Sequence, residues 1–224
     1  MTRRSSESLV RELARDLLPV RPIPRLRFVT GVVATLALGG AAWALWRDGG
    51  VRPDLLPVMQ GSATFDAILL AMTGIGISGL VAGVALCVPG RETLGSRAAV
   101  LAVLGAAFAF VAVPLGIVAM HVDPLRLPEA GDLLCMRIGL GAAAAAAFAG
   151  LGFGWRTAPR SLPLAAALAA SGAGAVGALA VHLACPSPHA WHWLWGHAGV
   201  PVVAALLAFA AGSALRALRP PPVR

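Results

Sequence analysis

Apolar residues in this chain come in long uninterrupted blocks, and the polar positions are confined to short stretches between them. Neither the two-residue alternation of a half-buried strand nor the stripe of an amphipathic surface helix describes such blocks. The hydrocarbon layer of a bilayer, about 30 Å thick, requires roughly 20 apolar residues in a helix, because backbone in lipid must satisfy its own polar groups. Six blocks meet that length: Phe28–Trp46, Ala67–Val88, Ala98–Met120, Leu133–Phe153, Leu162–Leu183 and Ala198–Leu215. The pattern predicts an all-α integral membrane protein, a six-transmembrane-helix bundle with short loops. Pro114, in the middle of the third block, predicts a kink. Small residues in the pairs Gly79/Gly83 and Gly172/Gly177 predict close helix approach.

The same pattern divides the chain into a polar tail (1–27), a transmembrane unit (28–218) and a short basic C-tail (219–224). No small-residue cleavage site follows the first block, so that span is expected to stay as an anchor rather than leave as a signal peptide. Composition agrees: 58% of residues are hydrophobic and 12% charged, with a mean hydropathy of +0.80, too few charges to coat a soluble fold.

The 18 basic residues, all Arg, outnumber the ten acidic ones. In a soluble chain such an excess would suggest nucleic acid; here the arginines sit between apolar blocks and at the chain ends, where they set orientation. Fourteen lie on the side of the N-terminal tail, including Arg91, Arg97, Arg156, Arg160 and Arg216, against Arg47, Arg52 and Arg126 on the other. By the positive-inside rule both termini are expected in the cytoplasm, as in a multi-pass protein of a bacterial inner membrane.

On that map the reactive side chains segregate. His121, Cys135, His182, Cys185, His189, His192 and His197 all fall at the outer, periplasmic face, and Cys87 at the inner end, where a structural role is expected. Measured from an inner turn near Ala158, Cys135 and Cys185 differ in height by only about 6 Å at 1.5 Å per residue, so the thiols can meet if the helix faces allow. Three chemistries stay open. An oxidising compartment permits a disulfide. Two thiolates with His182, His189, His192 or His197 make a soft site for Zn, Cd or Cu. A redox relay is the third, since a thiol at a helix N-terminus, the place expected for Cys135, has a lowered pKa.

Other features exclude more than they assign. Trp191, Trp193 and Trp195 are expected to form an interfacial belt. Arg137, the one charge inside a predicted span, is expected to snorkel outward near Asp123, Glu129 or Asp132. The loop histidines lack a His-Glu-x-x-His motif, and the loop itself holds no Asp or Glu. There is no phosphate-binding loop, dinucleotide fingerprint or nucleophile elbow, and no ladder of intramembrane carboxylates for an ion-coupled transporter. No enzyme, small-molecule substrate or direct nucleic-acid partner is expected. A membrane thiol oxidoreductase, or a haem or metal carrier using His121, His182 and the loop histidines, is the alternative class.

In the tail, Leu9, Val10, Leu13, Ala14, Leu17 and Leu18 recur at helical spacing behind Ser6, a candidate N-cap, and Pro19 ends the helix. Such a helix can lie on anionic lipid or dock into a groove on a cytoplasmic protein.

The tail Leu13-Ala-Arg-Asp-Leu-Leu-Pro-Val-Arg-Pro-Ile-Pro24, the six spans, Cys135 opening span four, and the ending His182-Leu-Ala-Cys185 … Trp195-Gly-His197 resemble the NrsF family. These "negative regulator of sigma F" proteins are six-span anti-sigma factors of bacterial inner membranes. The resemblance implies that the protein sequesters an extracytoplasmic-function sigma factor, with Leu9, Leu13, Leu17, Leu18, Pro19, Val20, Arg21 and Pro22 as candidate docking residues. It also implies release when heavy metal or oxidant acts on the two family cysteines, matched here by Cys135 and Cys185.

Overall fold

The computed structural model describes residues 25–119, 126–157 and 159–218. The docking residues Leu9 to Pro22, His121, Asp123 and the C-tail from residue 219 lie outside the described residues. Seven helices occur among those described: α1 (Leu26–Arg47), α2 (Leu55–Gly61), α3 (Ala63–Ala85), α4 (Glu92–Ala119), α5 (Ala130–Thr157), α6 (Leu162–Ala184) and α7 (Ala190–Ala217). All but α2 are long and apolar enough to cross a bilayer, so the chain is an all-helical membrane protein.

Local chemistry sets the boundaries. Ser62 caps α3 by accepting the Phe65 N–H at 3.2 Å, and Ser161 caps α6 by accepting that of Leu164 at 3.4 Å. Pro163 enters α6 in its first turn, where the missing N–H costs nothing. Helix α1 stops at Asp48–Gly50, where Gly49 and Gly50 adopt positive φ and the Gly50 N–H returns to the Leu45 carbonyl at 2.7 Å.

Helix α6 is the axis of the bundle: 72% of its most apolar window is buried inside the protein, against 22% for α1 and α4. It packs on α1, α3, α5 and α7. Small residues make this possible, as predicted for the glycine pairs. A Cβ on Gly172 would lie 2.4 Å from the Leu80 nitrogen, and one on Gly83 would lie 2.5 Å from Ala169. The backbones of α3 and α6 therefore touch, and van der Waals contact holds them where lipid supplies no hydrophobic driving force. The outward faces of α1 and α4 carry exposed Phe28, Leu38, Leu101 and Leu115, as lipid contact requires.

Two wide turns interrupt the regular helices. Around Pro114 the chain forms a π turn over Phe108–Ala112, with the Val113 N–H reaching back to the Phe108 carbonyl. The second covers Trp193–Ala198. Here the structure corrects the expected boundary: the sixth spanning helix begins at Ala190, eight residues before Ala198, because nothing after Pro186-Ser-Pro188 breaks it. At 28 residues α7 is about 42 Å long, and its extra turns carry the tryptophans and histidines that were expected in a loop.

Candidate functional site

The site lies at the end of the bundle where α5 and α7 begin and α6 ends. Cys135 is in the second turn of α5, and Cys185 is the residue that caps the C-terminus of α6. Their sulfurs are 3.9 Å apart, although 50 residues separate them in sequence. Neither belongs to a disulfide. The thiol placed at a helix N-terminus by sequence sits instead in the second turn, beyond Leu133, whose N–H already donates to the Glu129 carbonyl at 3.1 Å.

Helix α7 supplies two imidazoles. His192 Nε2 lies 3.2 Å from Cys185 Sγ, and His192 Nδ1 lies 2.6 Å from Asp132 Oδ1. Since a carboxylate only accepts, the Nδ1 proton of His192 points to Asp132, which leaves Nε2 facing the sulfur. Asp132 is 1% exposed and is held by two further contacts: it accepts the Glu129 N–H at 2.7 Å and Arg126 Nη2 at 3.4 Å, in addition to His192. Gly196 lets α7 come this close, because a Cβ there would stand 3.1 Å from the Asp132 carbonyl and 3.3 Å from Cys135 Cβ.

His197, fully buried, completes the group. One ligand atom from each of Cys135, Cys185, His192 and His197 lies within 4.8 Å of the others, a set of side chains that could hold a metal ion. Behind it, His182 Nδ1 is 2.9 Å from His197 Nδ1, and His182 Nε2 is 3.2 Å from the Phe65 carbonyl. The His182 ring also stacks on Phe65, 4.0 Å between centroids, with the edge of Trp193 against both rings.

Outside the spans, two thiols behave oppositely. Cys185 is held below its ordinary pKa chiefly by a hydrogen bond from the Cys135 thiol, which overcomes its burial. Burial pushes Cys87 up to about 11; its thiol donates to the Gly83 carbonyl at 3.3 Å. The first connecting loop braces the site: buried Arg52 donates Nη1 to the Cys185 carbonyl at 2.9 Å and Nε to the Asp54 carboxylate at 2.7 Å. That hydrogen bond raises Arg52 and lowers Asp54.

Of the six candidate metal residues, the structure brings Cys135, Cys185, His192 and His197 together. His182 stands one ring behind them, and His189 is exposed, its backbone N–H on Ser187 Oγ and its carbonyl accepting the Trp193 N–H. Trp191 and Trp193 are 2% and 3% exposed, so they are core residues rather than an interfacial belt, and Trp193 Nε1 donates to the Ser187 carbonyl. Trp195 is partly buried and donates to the Arg126 carbonyl. Asp132 pairs with His192 and Arg126, not with Arg137, whose side chain is exposed. Sequence reasoning missed Asp132 and Arg52. The first had a signal, since it stands one helical turn before Cys135 on the same face.

A cluster of two thiols and two imidazoles at one end of a six-span helical bundle marks a membrane protein with side chains that could hold a metal ion. The family model described as "negative regulator of sigma F" matches residues 13–217, nearly the whole chain, and the protein belongs to the NrsF family. No curated protein and no solved structure matches the chain. The family name makes a sigma factor the regulated partner and anti-sigma regulation the function class.

Proposed function

We propose that the protein is a non-catalytic anti-sigma factor of a bacterial inner membrane. It holds an extracytoplasmic-function sigma factor against the cytoplasmic face and releases it when soft metal or oxidant reaches Cys135 and Cys185. The observation that carries this reading is the approach of those two thiols to 3.9 Å at one end of a bundle whose family regulates a sigma factor. The excess of arginine on the opposite side supports a periplasmic position for the thiols, with both chain ends inside. The tail Leu9 to Pro22 is the docking segment in this reading, because amphipathic helices dock by laying an apolar face in a groove. A change in how α5, α6 and α7 pack around the thiols biases the bundle between a holding and a releasing state.

Two experiments test it. Full-length protein solubilised from its own membranes should carry a sigma factor, and replacing Leu13 and Leu17 with Glu should remove it. Recovery of the sigma factor undiminished with that variant would contradict the docking role. An impermeant maleimide added to intact cells, after mild reduction, should label Cys135, the half-buried thiol of the pair, and spare Cys87; the reverse pattern would invert the topology.

A further inference from the structure

The metal-ligand chemistry of the site can be taken further than its cysteines. We propose that Cys135, Cys185, His192 and His197 form one four-ligand centre for a thiophilic divalent cation of the Zn(II) or Cd(II) type. His182 acts as a positioning residue that ties the centre to the Phe65 carbonyl. The inference rests on the reading of the thiol pair as the sensing element, and it specifies the ligand and the remainder of its shell.

The hydrogen-bond chain decides which nitrogens are available. The Phe65 carbonyl can only accept, so Nε2 of His182 carries its proton and Nδ1 of the neutral ring accepts. The bond between the two Nδ1 atoms then requires His197 to donate from Nδ1. What is left is a lone pair on His197 Nε2, an atom shut off from solvent with no hydrogen-bond partner. A buried acceptor without a donor is costly, and a cation beside the sulfurs would satisfy it. His192 reaches the same state by another route: Asp132 holds the Nδ1 proton and leaves the Nε2 lone pair on the sulfur side. Carboxylate–imidazole–metal and imidazole–imidazole–metal relays of this kind fix the tautomer and orientation of ligating histidines.

Backbone geometry supports the same set. Residues five apart on a regular α-helix point about 140° away from each other. The π turn at Trp193–Ala198 widens the helix between His192 and His197, so both rings face the thiols. With bonds of about 2.3 Å to sulfur and about 2.0 Å to nitrogen, a tetrahedral ion needs ligand atoms roughly 3.3–3.8 Å apart. The Sγ–Sγ distance of 3.9 Å and the Sγ–Nε2 distance of 3.2 Å lie close to that range.

Charge selects the ion. Binding sends the remaining thiol proton to solvent, and a divalent cation with two thiolates and two neutral imidazoles sums to zero at a buried site. A monovalent Cu(I) would leave one negative charge uncompensated. A disulfide would consume both sulfurs and leave the His197 lone pair orphaned.

The test uses full-length protein, reduced and metal-free in detergent, titrated with Co(II) and then with Zn(II) or Cd(II). One equivalent of Co(II) should produce the intense visible bands of a tetrahedral ion with near-ultraviolet thiolate charge transfer, and Zn(II) or Cd(II) should bleach them. His182→Phe keeps the ligands but removes the relay. It should weaken affinity about 10–100-fold with the tetrahedral bands retained. His197→Ala should lose the tetrahedral spectrum, and His197→Cys should restore it with stronger charge transfer, which a merely structural histidine would not do. A weak octahedral spectrum in the parent, or unchanged binding and charge transfer in both His197 variants, overturns the four-ligand centre. Those outcomes leave sigma-factor capture untouched, whereas a perfect Co(II) spectrum without metal-dependent release in cells would sink the functional reading alone.

Discussion

The two ends of α6 are held by different forces. Its first half meets α3 through Ala169 and Gly172, where backbone lies on backbone and no polar group takes part. Its last turn meets α3, α5 and α7 through His182 and Cys185, where contacts are hydrogen bonds between titratable groups and one ring nitrogen stays unsatisfied. The first arrangement has a single way to pack and suits a fixed hinge line. The second is built of groups that can titrate, ligate or oxidise, as the proposed sensing role requires. One helix thus connects a backbone seam to a cluster of reactive side chains.

Breaking the seam should have the largest effect. Gly172→Val places a side chain where even a Cβ meets backbone at 2.4 Å, so the protein should fail to elute as a compact, monodisperse species in detergent. Normal elution would show that the α3–α6 approach is looser than described. At the responsive end, Asp132→Ala removes the partner of His192 and Arg126 together. It should lower stability by about 3 kcal/mol, read as a shift in detergent-phase unfolding, while Asp132→Asn should cost less because it keeps an acceptor.

The smallest effect separates the thiols. In metal-free protein, alkylation of Cys185 by a small neutral reagent should be nearly independent of pH above neutrality, because a pKa below the ordinary value leaves thiolate already formed. Cys87, raised to about 11, should react slowly and faster with each rise in pH towards that value. Parallel pH profiles would contradict the difference between the two environments.

Much of this was legible in the sequence, for identifiable reasons. Span number follows from block length, which bilayer thickness imposes, and the height match of Cys135 and Cys185 follows from helical rise. The glycine pairs at Gly79/Gly83 and Gly172/Gly177 announced close packing. Rotational phase was not legible: which histidines face the sulfurs depends on the π turn at Trp193–Ala198, and a turn that adds a single residue leaves no mark in composition. The start of α7 was hidden because Trp and His read as interfacial residues, although inside a bundle their N–H groups find partners such as the Ser187 carbonyl. Asp132 escaped because its partner His192 is 60 residues away.

The most direct test of the central claim is a transcriptional reporter for the sigma factor in cells carrying the parent protein, a Cys135→Ser/Cys185→Ser double variant, or no copy of the gene. Without the gene the reporter should be on; with the parent it should stay off until Cd(II) is added; with the double variant, matched in membrane abundance, it should stay off with and without Cd(II). A double variant that releases the sigma factor as the parent does would contradict the account.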